Sequence, residues 1–437
     1  MQPHRTIVAW SALSATLWGL AGCVAEPAPH PCEGVWGTAP ASGRLHVDAA
    51  AAPGGDGSLG APLTELWTPG GAADSALELL AGEGSIAVAS GSYDAGFLLD
   101  ASHAGLELTG CGADETTLLG VVEVLPNGDP GDLLPVAQVT GAGADDVVIR
   151  DLTLSAGRRN LVIHGGAGAG GAVVVQDVMV DAATRAGVVV DGVATVAELV
   201  GVTVTAVTPE DDIGWGIAVQ TGLPAGSSAA APTVLTDVTV TDATGVGVLV
   251  DAGFIEVAGL SVTDTLDVDG ALGRGVQVQG FSSGCLEDVV SSGNTDAALF
   301  LSAPGRDGAA LEVVGGTFTG TLAGALPNTA ETSGDGIVVT DAGGGFGAGA
   351  YLATFEDTVA SAVPRAGLLA EAVTIQVGPN NVFGKGTVLP FATQGDAVVE
   401  GIGGGPPPLT PEVLEDPGGA DPVELIRDEF AADDINQ

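Results

Sequence analysis

The sequence predicts an all-β solenoid, in which the chain coils repeatedly and each coil stacks on the next. Two short strand phrases recur along the chain at intervals of about 22–36 residues, within the range of solenoid repeats. Within each phrase apolar and polar residues alternate with the period of two that marks a strand. The composition agrees, because 70 glycines, 46% hydrophobic residues and 4% aromatic residues are typical of many short strands joined by tight turns.

The first phrase reads VVIRDLTL at 147–154, VVVQDVMV at 173–180 and VLTDVTV at 234–240. An Asp or Gly falls at the same step of each copy, and the apolar residues that follow it point to one side. We predict that this side faces the core. The step residues are Asp151, Asp177, Gly201, Asp237, Gly259, Asp288 and Gly315.

The second phrase reads GVVVDG at 187–192 and GVLVDAG at 247–253. A single coil has one apolar layer and nothing to cover it, so coils must stack about 4.8 Å apart in parallel ladders. A sandwich is disfavoured because its hairpin turns would follow at 8–12 residues. A propeller is disfavoured because its longer repeat and aromatic signatures are missing.

Outward positions of the second phrase carry amides, carboxylates and hydroxyls with occasional aromatic residues. Such a face suits an extended glycan, and Trp215 and Phe300 are predicted to supply stacking surfaces. An ordinary exposed strand face, with cross-strand pairs only, is the alternative. The ligand-binding candidates are Asp191, Trp215, Gln220, Asp251, Gln277, Gln279 and Phe300.

The stretches LHVDAAAAPGGDGSLGAPLTEL, IAVASGSYDAGFLLD and LELTGCGADETTLLG open the repeat region. With the strand phrases, they resemble right-handed parallel β-helix proteins of the pectin-lyase-like superfamily. The resemblance covers 45–390 and implies one β-helix domain of about nine to eleven coils at the ladder spacing, with a short N-terminal cap. It leaves activity open, since this fold carries lyases, hydrolases, adhesins and scaffolds.

Residues 1–22 are predicted to be a lipoprotein signal peptide, with a basic start and an apolar run too short to span a membrane comfortably. The sequence LAGC, ending at Cys23, resembles a bacterial lipobox, which implies lipidation of Cys23 and anchoring to the cell envelope. Val24 after the cysteine favours the outer membrane. An ordinary signal peptide is the alternative. Residues 23–44 would be the tether.

Residues 391–437 change to Pro- and Gly-rich and then acidic sequence, and we predict a disordered tail because proline runs cannot join a ladder. In an oxidising compartment a Cys32–Cys111 disulfide would pin the N-terminal cap to the body. Free, buried thiols are the alternative for these two cysteines.

The chain has 55 acidic and 11 basic residues, for a net charge of −44. Nucleic acid is therefore excluded as a partner, since phosphate binding needs clustered Lys and Arg. No cofactor is predicted. A Ca²⁺ site is open as an alternative to a solvated acidic face. Its candidate ligands are Glu210, Asp211, Asp212, Asp264, Asp267 and Asp269.

No catalytic residue is assigned. A lyase of this fold needs a basic residue, yet Lys385 is the single lysine. A hydrolase needs convergent carboxylates, and PEDDIGWG at 209–216 lacks the companion motifs of polygalacturonases. We therefore predict an envelope-anchored, non-catalytic binding or scaffold module with polysaccharide as the candidate ligand. The alternatives are a polysaccharide lyase or glycoside hydrolase, and a structural lipoprotein that engages another envelope protein.

Overall fold

The structure is a computed structural model, and it describes most of the chain from Gly43 to Val413. The described residues are 43–68, 75–80, 82–124, 130–141, 143–165, 171–192, 195–210, 213–221, 232–268, 271–280, 282–302, 311–322, 334–340, 352–385, 387, 389–402, 407 and 409–413.

Parallel strands form three ladders that run the length of the molecule. The first and second ladders belong to one 22-stranded sheet, and the third is a separate 12-stranded sheet. The first ladder contains Arg44–Val47, Gly84–Val88, Leu106–Thr109, Val148–Arg150, Val173–Gln176, Ala197–Val200, the first halves of Thr233–Ala243 and Phe254–Thr263, Ser283–Glu287, Leu311–Val314, Leu352–Glu356, Thr374–Val377 and Val398–Gly401.

The other two ladders follow the first in every complete coil. The second contains Gly91–Ala95, Thr116–Gly120, Thr153–Ser155, Met179–Asp181, Thr203–Val207, the second halves of the two long strands, Val290–Ser292, Thr317–Thr319, Val359–Ser361 and Val382–Lys385. The third contains Phe97–Leu99, Ala137–Thr140, Arg159–His164, Ala186–Asp191, Trp215–Gln220, Val246–Asp251, Arg274–Gln279, Ala297–Ser302, Asp335–Thr340, Ala366–Glu371, Leu389–Gln394 and Glu412–Val413.

The corner between the first and second ladders is made by the Asp-or-Gly step of the first phrase. All seven step residues have positive φ, from 50° at Asp177 to 75° at Gly259. Glycine enters this left-handed region without a steric penalty, and aspartate tolerates it better than most residues. The recurring step is therefore a backbone requirement of the corner.

The core lies between the three ladders and is formed by the side chains that the alternation predicts to point inward. Leu152, Leu154, Val188 and Val190 are each 0% exposed and belong to one continuous apolar cluster. Each coil covers the apolar layer of its neighbours, as expected of a solenoid. The predicted all-β solenoid of parallel strands is thus confirmed.

The N-terminal coil is closed by a short helix, Ala76–Leu79, whose Ala76 and Leu77 are buried. A 3₁₀ turn at Ala101–His103 and two antiparallel hairpins, Val122–Val124 with Pro130–Leu133 and Asp267–Val268 with Ala271–Leu272, complete the described elements. No helix among these elements combines the length and apolarity needed to cross a membrane.

The predicted domain boundary at residue 390 falls too early. Leu389–Gln394 pairs with Ala366–Glu371 in the third ladder, and Val398–Gly401 pairs with Thr374–Val377 in the first. Apolar Phe391 and Ala392 fill these positions, so the coil pattern continues before the prolines begin. The predicted signal peptide at 1–22, most of the tether at 23–44, and residues 414–437 lie outside the described residues.

Candidate binding face on the third ladder

The outward side of the third ladder is mostly buried, although the sequence predicts an open face. Leu98, near the N-terminal end, is 50% exposed, but the middle positions from the coil of Val162 to that of Val338 are no more than 8% exposed. They are Val162, Val189, Ala218, Leu249, Gln277, Phe300 and Val338. Trp215, at 8% exposed, joins a cluster with several of them. Trp215, Gln277 and Phe300 therefore do not form the accessible platform expected for sugar stacking.

A buried polar network occupies this side at Arg274. The Arg274 Nε donates to Asp296 Oδ2 at 2.8 Å, and its Nη1 donates to Gln277 Oε1 at 3.1 Å. The guanidinium carbon lies 3.6 Å from the centroid of the Phe300 ring. The face of Phe300 that was expected to stack on a sugar is thus taken by a cation of the same chain.

A continuous polar column borders the buried strip, at the C-terminal ends of the strands of the third ladder. Parallel registers align one polar side chain from each of nine successive coils. These are Thr140, His164, Asp191, Gln220, Asp251, Gln279, Ser302, Thr340 and Glu371. Asp191, Ser302 and Thr340 are buried, and the other six are partly exposed. We call this set the polar column.

Hydrogen bonds join members of the polar column to one another and to Gln277 beside it. Gln277, beside the column, donates through Nε2 to Gln279 Oε1 at 2.6 Å, and Thr340 Oγ1 donates to Glu371 Oε2 at 3.2 Å. Four of the predicted ligand residues, Asp191, Gln220, Asp251 and Gln279, share this column, so the structure brings them together. Trp215, Gln277 and Phe300 lie at other outward positions of the ladder.

His164 and Asp191 form a close pair in adjacent coils. The His164 Nδ1 lies 2.6 Å from Asp191 Oδ1, and His164 is the more exposed partner. Burial raises the pKa of Asp191, while the hydrogen bond and charge of His164 act in the opposite direction. With Nδ1 donating its proton to the carboxylate, a neutral imidazole presents Nε2 as an acceptor.

Asp251 carries the second carboxylate with a raised pKa in the polar column. Burial is the main cause, and a side-chain hydrogen bond from Gln279 opposes it. The carboxylate lies against Gly280 of the next coil, where a Cβ would come within 2.1 Å of Asp251 Oδ1. Gly280 also has φ of +68°, so both space and backbone conformation favour glycine there.

The predicted calcium ligands do not form a described site. Within the described part of the chain, no three His, Cys, Asp or Glu residues are placed to hold a metal ion. Glu210 accepts from Arg158 Nε at 2.7 Å, and Asp264 is a corner residue with φ of 59°. Asp267 lies in a hairpin strand, whereas Asp211, Asp212 and Asp269 fall outside the described residues.

The described cysteines differ in state. Cys111 is fully buried and disulfide-bonded, and Cys285 is a free, partly exposed thiol. Cys32 and the predicted lipidation site Cys23 lie outside the described residues, so the Cys32–Cys111 pairing stays a prediction.

The sequence did not predict that two charged side chains would lie buried on the outward side of the third ladder. Arg274 and Asp335 occupy the first outward position of their strands, where neighbouring coils carry Ala, Trp or Val. Asp335 is 1% exposed and accepts from Arg365 Nε at 2.9 Å and from the Ala366 amide at 3.0 Å. A charge at a repeat position where the adjacent coils carry apolar residues was the available signal; Arg159 occupies the same position in an earlier coil.

Comparison with known proteins supports the architecture. No protein-family model and no curated protein sequence matches the chain. An Acinetobacter phage tailspike shares 8% identity with a TM-score of 0.51, over 76% of this chain and 56% of the tailspike. A GH87 alpha-1,3-glucanase catalytic unit from Streptomyces thermodiastaticus shares 15% identity with a TM-score of 0.47, over 87% of this chain and 69% of the glucanase.

The pectate lyase Pel9A is also similar, at 11% identity and a TM-score of 0.36, over 86% of this chain and 79% of the lyase. Likenesses at such identities show the fold alone. The chain is a right-handed parallel β-helix.

Proposed function

We propose that the protein is an envelope-anchored lipoprotein whose β-helix binds an extended polysaccharide along the polar column. The single observation that carries the proposal is that nine successive coils place a hydrogen-bonding side chain at the same outward position. Glycan hydroxyls need such donors and acceptors at regular intervals. Six of the nine side chains are partly exposed, so a chain lying along the column can reach them.

The sequence of the first 23 residues supports the anchor. A lipobox ending at Cys23 would place several acyl chains on the mature N-terminus, and each buried CH₂ contributes about 0.8 kcal/mol to membrane binding. Partitioning of the expressed protein into a detergent phase tests this, with Cys23→Ser as the unlipidated control. An equal distribution of both proteins would contradict the anchor.

The binding proposal is tested by affinity electrophoresis of the full chain in gels that contain neutral, uronate or amino-sugar polysaccharides. We expect at least one polymer to retard the protein without releasing products. Gln279→Ala should weaken the retardation several-fold, because it removes a partly exposed amide of the polar column. Thr239→Ala, at an outward position of the second ladder, is the matched control and should leave retardation unchanged. If no polymer retards the protein, the proposal fails.

A hydrolase is the second candidate, and the His164–Asp191 pair favours it. Asp191 fixes the imidazole through Nδ1, which would leave Nε2 to take a proton from an attacking water.

New reducing ends after incubation with the same polymers would reveal such activity. His164→Gln should then lower the rate about a hundredfold, in line with loss of a general base. His103→Gln is the control, since His103 pairs with Asp100 at 3.1 Å in a surface turn and should have no effect. Retardation in the gel without new reducing ends would contradict the hydrolase and support the proposed binding protein.

A further inference from the structure

Among the described residues, two neighbouring hydrogen-bond acceptors in the polar column lack a full set of donors: Gln220 Oε1 has no donor, and Asp251 has no positively charged one. The Gln220 Oε1 is buried and has no hydrogen-bond partner. Asp251 follows it in the next coil at the same register, since Val219 pairs with Val250 immediately before them. Strand spacing places their backbones about 4.8 Å apart. The hydrogen bond described for the Asp251 side chain comes from the neutral amide of Gln279.

Three other carboxylates on this side of the third ladder have a basic partner. Asp335 is paired with Arg365, Asp296 accepts from Arg274 at 2.8 Å, and Asp191 lies 2.6 Å from His164. Among the described residues, Asp251 has no such partner. A partly buried carboxylate without a cation is unfavourable when ionised. A ligand that brings a positive donor would relieve this cost.

The residues around Gln220 and Asp251, and the net charge of the chain, favour a positively charged ligand. Ala218 and Leu249, beside the two acceptors, are each 0% exposed, and an apolar neighbourhood strengthens a charge pair. The chain as a whole carries a net charge of −44, which attracts cations and repels polyuronates. Several of its few cations, including Arg150, Arg158, Arg274 and Arg365, are already held by carboxylates.

We infer that Gln220 and Asp251 form a subsite for a protonated amino group, and that the ligand of the polar column is an amino-sugar polysaccharide with free amines. This inference rests on the proposed polysaccharide binding and names its ligand class. An ammonium group has three donors and one positive charge. It can donate to the Gln220 oxygen and to the Asp251 carboxylate at the same time and neutralise the negative charge of the carboxylate. A hydroxyl group carries no charge and cannot do so.

Calorimetry with the full chain tests the subsite with two probes, a β-1,4-linked glucosamine tetramer and its fully N-acetylated form, at one fixed ionic strength. We expect the glucosamine tetramer to bind about tenfold more tightly, the size of one charge-assisted contact. Asp251→Asn should remove that advantage, so that the two tetramers then bind the variant about equally. Gln220→Met keeps the length of the side chain but removes the acceptor, and it should reduce the preference for the glucosamine tetramer several-fold. This variant tests the subsite if Asp251→Asn does not fold.

Asp237→Asn is the matched control, because it removes the same charge from an exposed corner between the first and second ladders. It should change either affinity by less than about twofold. The inference is overturned if both tetramers bind the native protein equally, or if Asp237→Asn acts as strongly as Asp251→Asn. In those outcomes glycan binding itself stands. If neither tetramer binds and no polymer retards the protein in gels, the proposed function fails as well.

Discussion

The outer sides of the first and third ladders differ sharply in solvent exposure, although both ladders consist of stacked parallel strands. On the first ladder the outward residues Glu198, Glu256 and Glu312 are exposed. On the third, Ala218 and Leu249 are fully buried. Strand alternation therefore identifies the inside of the solenoid, but it does not say whether the outside meets water. The outward residues themselves decide that, because strands buried on both sides read as nearly continuous apolar runs.

The largest expected effect comes from placing a charge at matched outward positions of the two ladders. Leu249→Asp should lower the free energy of unfolding by about 3 kcal/mol or more, since it buries an unpaired carboxylate and loses leucine packing. Ala258→Asp, at an exposed position of the first ladder, should change it by no more than about 0.5 kcal/mol. Urea denaturation followed by circular dichroism measures both, and equal losses would contradict the contrast.

The second largest effect is expected from removing the arginine of an ion pair, and the loss of stability should differ between the two ladders. Arg274→Met leaves Gln277 and Asp296 without their donor, and we expect a loss of about 3 kcal/mol because the pair is largely buried. Arg150→Met removes a half-exposed pair with Glu107 on the first ladder and should lose less than about 1 kcal/mol. The same denaturation experiment applies. A small loss for Arg274→Met would show that its network contributes little beyond packing.

A smaller effect is expected from pH. Burial raises the pKa of Asp251, so above the ordinary Asp pKa the folded state binds more protons than the unfolded chain. Stability therefore falls as pH rises from the unfolded pKa through the folded pKa. Asp251→Asn should stabilise the protein at pH 7 relative to the native chain, and the gain should disappear below the unfolded pKa. Melting temperatures across this range measure it; a gain that does not depend on pH would refute this origin.

The smallest effect concerns Cys285 on the first ladder. Burial, followed by the charges of Glu312, Glu287 and Glu256, raises the pKa of its thiol, which lowers the thiolate fraction at a given pH. Glu312→Gln should speed alkylation by iodoacetamide roughly two- to fivefold, and salt should shrink the difference because exposed charges are screened. Val290→Gln, elsewhere on the same sheet, is the control. An unchanged rate would mean that burial alone governs the thiol.

The sequence predicted the solenoid and its inward side because both follow from local rules. The Asp-or-Gly step at Asp151 or Gly259 marks a positive φ, and the apolar pair after it marks the core. Parallel register then aligned Asp191, Gln220 and Asp251 in one column.

The partners of those side chains could not be predicted in the same way. Arg274 reaches Asp296 in the next coil and lies over Phe300, and His164 meets Asp191 across coils. Such contacts depend on spacings that vary between repeats, and no local pattern fixes them. The burial of Ala218 and Leu249 did have a signal, since runs such as GVLV leave no polar residue to face water. The strict alternation applied to that strand overlooked it.

The corner between the first and second ladders is a two-residue connection in six coils from Asp151 to Thr358, and in the other two the long strands Thr233–Ala243 and Phe254–Thr263 run through it. The connections that leave the polar column vary instead, from 252–253 to 192–196, 303–310, 341–351 and 221–232. Additional sequence therefore enters the rod beside one edge of the third ladder, while the stacking step stays fixed. A protein built in this way can change the segments beside the polar column by insertion or deletion without disturbing the stacked coils.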